Sequence, residues 1–242
     1  MNRILLAAEE LPPGHVVTLR DQRAEHLRSV LHVVPGQVVK LGVLDGPRGT
    51  GVVEAIQGDN VILRVELEGT IPPAPRVDLL LALPRPKVLK RLWAQVAALG
   101  VHNVVITNAA KVERNYFDTH WLRPEVYGPL LVEGLQQAGD TRLPRVTVAR
   151  VFRPLIEDRI GELCPASVCL VADPAGATRL SRVRIPDGER VLLAVGPEGG
   201  WNAFELSLLG RAGFLAVNVG TRTLRTDTAC VALIAILHEL MT

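Results

Sequence analysis

Gly196-Pro197-Glu198-Gly199-Gly200 follows Val191-Leu-Leu-Ala-Val195, and Gly220-Thr-Arg-Thr-Leu-Arg-Thr-Asp-Thr-Ala229 follows Phe214-Leu-Ala-Val-Asn-Val219. The run 191–195 is apolar without alternation, the pattern of a strand buried on both faces of a parallel sheet. Each glycine-bearing segment therefore stands at the carboxyl end of a strand, where open α/β sheets bind ligands. Two such loops at neighbouring strand ends make a pocket walled by backbone. Glycine leaves N–H and C=O groups open to a ligand and proline fixes the approach, so an adenine edge can be read there. As plain structure, the first loop is a strand-to-helix turn with Asn202 capping the next helix. The second opens a final helix, with Thr226 or Thr228 as its cap and Asp227 at its positive end. That reading leaves Arg222 and Arg225 without a purpose. The chain has no G-x-x-x-x-G-K-[ST] or G-x-G-x-x-G segment, which removes support for nucleoside triphosphates and dinucleotides.

Upstream of these loops the same grammar continues. Arg76-Val-Asp-Leu-Leu-Leu-Ala-Leu83 reads as a strand, and Val88, Leu92, Val96 and Leu99 share one face of a helix ending at Gly100. Val104-Val-Ile106, residues 145–150 and Ser167-Val-Cys-Leu-Val-Ala172 read as further strands, with helices near 122–138 and 154–163. Strand–helix alternation predicts an α/β fold. The last helix is predicted to bury Ala229, Ala232, Leu233, Ile236, Leu237 and Leu240 as one stripe. Val168-Cys-Leu-Val-Ala-Asp-Pro-Ala-Gly176 echoes Leu192-Leu-Ala-Val-Gly-Pro-Glu-Gly199, since both are apolar strands ending in Pro-x-Gly turns.

A boundary falls at Gly69-Thr-Ile-Pro-Pro-Ala-Pro75, whose prolines continue neither a helix nor a central strand. Before it, Val38–Leu44, Gly51–Ile56 and Asn60–Glu66 are short β-rich runs with Asp45-Gly46 and Gly58-Asp59-Asn60 between them, which suggests a small barrel. The expected domains are thus residues 1–70 and 74–242.

The 242 residues, 48% of them apolar, suffice for a real core. No apolar run is long enough to span a bilayer. The short apolar stretch near Met1 is cut by Glu9 and Glu10, too soon for a secretory signal, and this predicts a cytoplasmic protein. Cys164, Cys169 and Cys230 include no C-x-x-C and read as free thiols. A net charge of +2 says little about partners. The 23 arginines against 4 lysines say more, because guanidinium holds phosphate bidentately and stacks on bases, although the same bias follows from GC-rich coding. Residues 1–70 carry seven basic and nine acidic side chains, so this part is not a basic clamp in bulk. His238-Glu239 begins an H-E-x-x-H pattern that the chain does not complete, and no metal site is expected.

GPEGG at 196–200, then a helix, a strand and Val219-Gly-Thr-Arg-Thr-Leu-Arg-Thr-Asp-Thr-Ala229, resembles the SPOUT class of S-adenosylmethionine-dependent RNA methyltransferases. Within it, the pair resembles the 16S ribosomal RNA uridine-N3 methyltransferase family, whose pattern is GPEGG and LG-x-x-x-LRT-[ED]-TA. Ala98-Leu-Gly-Val101, Glu133 with Gln137 and Pro144, and Val112-Glu-Arg-Asn-Tyr-Phe-Asp-Thr119 match other family segments loosely, as in a divergent branch. Asp227 stands where glutamate is usual, and Asp140 where arginine is.

The resemblance implies an open sheet whose C-terminal helix forms a trefoil knot, three strand-end loops enclosing S-adenosylmethionine, and a homodimer. It implies cofactor contacts from Val171, Ala172, Val195, Gly196, Pro197, Glu198, Gly199, Gly200, Val219, Gly220, Leu224, Thr226, Thr228 and Ala229. It makes residues 1–70 a PUA-like RNA-binding barrel. There Arg23-Ala-Glu-His-Leu-Arg-Ser-Val-Leu-His32 resembles a family segment and puts Arg23, His26 and Arg28 on ribosomal RNA or the small subunit. The implied reaction is methylation of a uridine N3. That nitrogen is protonated at neutral pH, so a proton must leave before in-line attack on a sulfonium methyl. Opposite charges vanish in that step, which a dry, aligned pocket favours. Arg222 or Arg225 is expected to stabilise the uracil anion or hold a phosphate. Glu198, if buried, is the expected base. Other RNA targets within the class, or a cofactor-binding module without catalysis, fit the same motifs.

Overall fold

In the computed structural model, which describes residues 3–241, the alternation at 60–67 turns Val61, Leu63 and Val65 into a core with Leu6, Leu19, Leu27 and Leu41. Met1, Asn2 and Thr242 lie outside the described residues. The chain divides into two compact units, residues 1–74 with 135–143, and 75–134 with 144–242. The first unit contains β1 (Ile4–Leu6), β2 (Val16–Leu19), α1 (Gln22–Ser29), β3 (Val38–Val43), β4 (Arg48–Gln57) and β5 (Asn60–Leu67). They form a five-stranded sheet in the order β1-β3-β4-β5-β2, with β1 parallel to β3 and the other pairs antiparallel. β4 and β5 meet at Gln57↔Asn60, leaving a two-residue turn in which Gly58 takes φ 58°. A left-handed glycine at the first central position matches the twist of a hairpin. Asp21 caps α1 by accepting the Arg23 N–H at 2.9 Å.

Residues 135–143 are held to this unit by specific bonds. Thr141 Oγ1 donates to Gly46 O at 2.7 Å, Asp45 N–H donates to Thr141 O at 2.7 Å, and Arg48 pairs with Asp140 at 3.1 Å. Asp140, aspartate where the family usually has arginine, thus has a local ionic partner.

The second unit runs β6 (Val77–Ala82), α2 (Pro86–Ala98), β7 (Val101–Thr107), α3 (Pro124–Ala138, its last turn grouped with the first unit), β8 (Arg145–Ala149), α4 (Phe152–Pro154) and α5 (Ile160–Leu163). A π-helical stretch, Leu155–Arg159, joins α4 to α5. Then come β9 (Val168–Ala172), β10 (Thr178–Arg179), β11 (Val191–Val195), α6 (Ala203–Arg211), β12 (Leu215–Asn218) and α7 (Thr226–Leu240). All seven strands are parallel, in the order β10-β12-β9-β11-β6-β7-β8. Their carboxyl ends therefore share one edge. β6 and β11 lie side by side at the centre and every residue of both is buried, which accounts for their unbroken apolar runs. Asp78 is the exception in chemistry, a fully buried carboxylate whose Oδ1 takes bonds from Arg190, the Asn103 backbone and the Asn103 side chain.

Three corrections to the sequence expectations concern the strands and helix α7. β11 and β12 are not neighbours, because β9 lies between them. The buried stripe of α7 is Thr226, Cys230, Leu233, Ile234 and Leu237, while Ala232, Ile236 and Leu240 are only half-buried. Neither Thr226 nor Thr228 caps that helix. Arg225 occupies the cap position without a side-chain bond, and the Thr226 hydroxyl donates instead to Gly196 O at 3.4 Å.

Candidate active site

β9, β11 and β12 each end in a loop on the common carboxyl edge, and the three loops are bonded into one frame. Asp173 N–H donates to Val217 O at 3.0 Å, which joins the end of β9 to β12. The Asn218 amide donates to Gly176 O at 2.6 Å and accepts from Gly220 N–H at 3.0 Å, so one side chain sets two loops. Thr226 reaches from α7 to the loop after β11. At Gly196 a Cβ would stand 3.2 Å from both Trp201 N and Trp201 Nε1, so any side chain there presses on Trp201. At Gly220 φ is 132°, a conformation that glycine alone adopts without strain. The helix after the first loop is locked by a reciprocal cap, as expected for Asn202. Asn202 Oδ1 accepts from Glu205 N–H and Glu205 Oε2 accepts from Asn202 N–H, both at 2.8 Å. Glu205 Oε1 also accepts from Ala110 N–H at 2.6 Å, which fixes the loop after β7 against α6.

These loops and the first turns of α7 enclose a cleft. Its lining includes Ala172, Val195, Gly196, Pro197, Glu198, Gly200, Val219, Gly220, Leu224, Thr226 and Ala229 from the expected cofactor set, together with Arg222. Val171, Gly199 and Thr228 are not among them. Val171 is buried within β9, Gly199 turns toward Lys111, whose Nζ donates to Gly199 O at 2.7 Å, and Thr228 is exposed on α7. The residues that sequence reading missed are Asp173, Pro174, Val217, Asn218, Thr223 and Leu233. Asp173 and Pro174 sit in the Pro-x-Gly turn that echoes 196–199, and that repeat was the available signal.

The cleft is apolar in its floor and sparsely charged. Asp173, Glu198 and Arg222 are the ionisable side chains on its lining. Glu198 is exposed, contrary to the expected burial, and its Oε1 accepts the Arg85 N–H at 3.0 Å. Arg225 does not join the cleft. It is 76% exposed, lies 3.9 Å from Asp227 and lines a second hollow with Arg85, Lys87, Arg91 and Tyr116. Asp227 is held below the usual carboxylate range, first by the Arg91 guanidinium at 2.6 Å.

In the first unit the expected RNA contacts separate. Arg23 is spent internally. Its guanidinium bonds Glu10, Asp21 and Leu5 O and its side chain is 16% exposed, so it braces the unit rather than facing a ligand. Arg28 bonds Gly58 O at 2.9 Å and Asp59 at 2.7 Å, which commits it to the β4–β5 turn. His26 lines a shallow hollow with Leu31, Gln37, Val38 and Lys40, and its buried Nε2 has no protein partner. Among the described residues no group of three or more His, Cys, Asp or Glu is placed to hold a metal ion, and no helix is long and apolar enough to cross a membrane. Burial pushes the Cys164 and Cys230 thiols up to about 12.

The family model for the RNA methyltransferase domain matches residues 72–238. The ribosomal RNA small subunit methyltransferase E of Treponema pallidum (strain Nichols) is 31% identical over 240 residues, covering 98% of this chain and 90% of that protein. Ribosomal RNA small subunit methyltransferase E 1 of Borreliella burgdorferi is 23% identical, covering 96% and 95%. Among solved structures, the methyltransferase E of Neisseria gonorrhoeae, crystallised bound to S-adenosyl methionine, superposes with a TM-score of 0.78 at 25% identity, covering 99% of this chain and 98% of that one. With a domain-wide family match and similarity along nearly its whole length, this chain belongs to the RNA methyltransferase family, in the branch of the small-subunit ribosomal RNA methyltransferases E.

Proposed function

We propose that this protein binds S-adenosylmethionine in the cleft after β9, β11 and β12 and methylates N3 of a uridine in small-subunit ribosomal RNA. The observation that carries this reading is the cleft itself, three strand-end loops bonded into one frame with Asp173, Glu198 and Arg222 as its ionisable side chains. Its donor set suits the cofactor. Backbone of Gly196, Pro197 and Gly220 borders an apolar floor of Val195, Leu224 and Leu233, with the Asp173 carboxylate on the same lining. When bound, the cofactor supplies an electrophilic methyl group on a sulfonium.

The chain's own residues do the rest. The apolar floor excludes water, which favours a reaction in which opposite charges disappear. The uracil N3 proton passes to bulk water as the base docks, and Arg222, the cation on the cleft lining, stabilises the uracil anion that then attacks the methyl carbon as the sulfonium leaves as a thioether. Glu198 keeps the loop after β11 in register with the start of α2 through the Arg85 N–H. We further infer that the second unit, residues 75–134 with 144–242 rather than the unbroken 74–242 expected from sequence, forms a SPOUT domain with α7 threaded as a trefoil knot, and that residues 1–70 form a PUA-like RNA-binding barrel in which His26 contacts RNA. A homodimer that completes the site, acting in the cytoplasm, belongs to the same reading. It is supported by α7, whose half-buried Val231, Ala232 and Ile236 offer an apolar face beyond its buried stripe.

The test is transfer of labelled methyl groups from S-adenosylmethionine to ribosomal RNA, with light scattering on the same preparation. Label in small-subunit but not large-subunit RNA, from a dimer, is expected. Label in neither, or a monomer at micromolar concentration, contradicts the corresponding part.

A further inference from the structure

Arg85, Lys87 and Arg91 at the start of α2, Arg225 before α7 and Tyr116 after β7 surround a hollow of about 460 Å³ beside the cofactor cleft. We propose that this hollow seats the RNA strand next to the target nucleotide, with Lys87 and Arg225 on phosphate and Tyr116 against a base. The inference rests on the proposed RNA methylation and deepens it by assigning the strand its anchor. The two recesses share a rim. Glu198 lines the cleft and accepts the Arg85 N–H, while Leu224 and Thr226, on either side of Arg225, line the cleft as well. A strand held in the hollow thus places its neighbouring nucleotide at the cleft mouth.

Charge and shape both favour a nucleic acid. Of the four cations, Arg91 is matched by Asp227 at 2.6 Å, and Arg225 stands 3.9 Å from the same carboxylate. One acid between two arginines leaves positive charge over. Lys87 and the Arg85 side chain have no carboxylate partner in an ion pair among the described residues. Inside the cationic rim the surface is mainly apolar, from Pro86, the arginine stems and the Tyr116 ring. The Tyr116 hydroxyl is tied to Glu113 at 2.8 Å, which steadies the ring. A cationic rim around a fixed aromatic ring is the combination that holds single-stranded RNA, by phosphate contacts and base stacking. An acidic peptide would use the cations and leave the ring idle.

The experiment measures binding of a uridine-containing oligoribonucleotide, and separately of S-adenosylmethionine, to the full chain across a salt series. Lys87→Ala with Arg225→Ala should weaken RNA binding roughly 10- to 100-fold at low salt and flatten the log–log salt slope by about 1.4, two phosphate contacts' worth. Tyr116→Ala should weaken RNA binding at every salt concentration without flattening that slope, and Tyr116→Leu should not restore it. Cofactor affinity should hold in all three variants. Unchanged RNA affinity and slope in folded variants would overturn the assignment, as would equal weakening for polyglutamate and RNA. Wild-type protein that transfers methyl groups while these variants bind RNA normally sinks the hollow alone. Wild-type protein that transfers none sinks the function it rests on.

Discussion

Glu198 Oε1 accepts a hydrogen bond from the Arg85 backbone N–H at 3.0 Å, and this bond links the loop after β11 to the start of α2. It joins the cleft wall to the rim of the basic hollow. In the proposed reaction, an exposed carboxylate with one oxygen so engaged is assigned a positioning part rather than that of a buried base. Glu198→Gln keeps an acceptor there and should lower turnover less than about threefold. Glu198→Ala should lower it roughly 3- to 10-fold, the worth of one solvent-screened charge-assisted bond. The pH profile of turnover should be the same for wild type and Glu198→Gln. Loss of a profile limb in the glutamine variant would restore the base assignment.

Cofactor affinity should respond to bulk on α7. Ala229 is half-buried and lines the cleft from a helical position where leucine is well tolerated. Ala229→Leu should weaken S-adenosylmethionine binding about 5- to 150-fold, matching an overpacking cost of roughly 1–3 kcal/mol, from a wild-type affinity near micromolar, or about 8 kcal/mol. Titration calorimetry on a variant with native circular dichroism reads this directly. Gly196 is the poorer site for such a test, because a side chain there presses on Trp201 before it reaches the cleft.

Arg222 should matter to the transition state more than to binding. Arg222→Ala should cut single-turnover methylation roughly 30- to 1000-fold, about 2–4 kcal/mol, with cofactor affinity nearly retained. A rate within threefold of wild type at saturating RNA would leave the cleft's cation without a catalytic part.

The first unit should carry an acid-sensitive brace. Glu10 and Asp21 are both held below the usual carboxylate range, first by their bonds to Arg23. Carboxylates with depressed folded values contribute stability above their unfolded values, about 4, and lose it as pH falls through the folded ones. Stability in urea should therefore fall as pH drops below about 4. Arg23→Ala should flatten that dependence and cost about 1–3 kcal/mol at neutral pH, since Glu10 and Leu5 O lose a charged donor. An unaltered pH dependence in Arg23→Ala would contradict the brace.

At the amino ends of β6 and β11, Arg190 compensates a carboxylate with no exposed surface. Arg190 bonds Asp78 at 2.7 Å, and Asp78 is fully buried in β6. Arg190→Ala strands that charge and should cost about 3–5 kcal/mol in urea unfolding. Arg153→Ala, at an exposed helical pair, should cost less than about 0.5 kcal/mol. Equal small losses in both would show that Asp78 does not depend on Arg190.

Much of the second unit was legible because its signals are local. β11 shows itself through an apolar run that burial on both faces demands, and Asn202 declares its helix through a cap bond three residues long. β10 was not legible. Thr178 and Arg179 have no period of their own and are a strand only because they pair with β12. The position of β9 between β11 and β12 depends on crossovers, which no single segment encodes. The family segment that its helix resembles puts Arg23 on RNA, yet Glu10 and Leu5, 13 and 18 residues away, claim its guanidinium. Arg222 and Arg225 look equivalent in sequence. The start of α7 at Thr226, drawn to Gly196 O, sends one to the cleft and the other to the basic hollow.

Nucleoside mass spectrometry tests the central claim most directly. Small subunits from cells lacking this activity are incubated with the protein and S-adenosylmethionine, and their RNA is digested to nucleosides. The account predicts that 3-methyluridine appears with wild-type protein, is absent without it, and is strongly reduced with Ala229→Leu. Protein that binds the cofactor near micromolar affinity yet yields no methylated nucleoside in small-subunit RNA would contradict it.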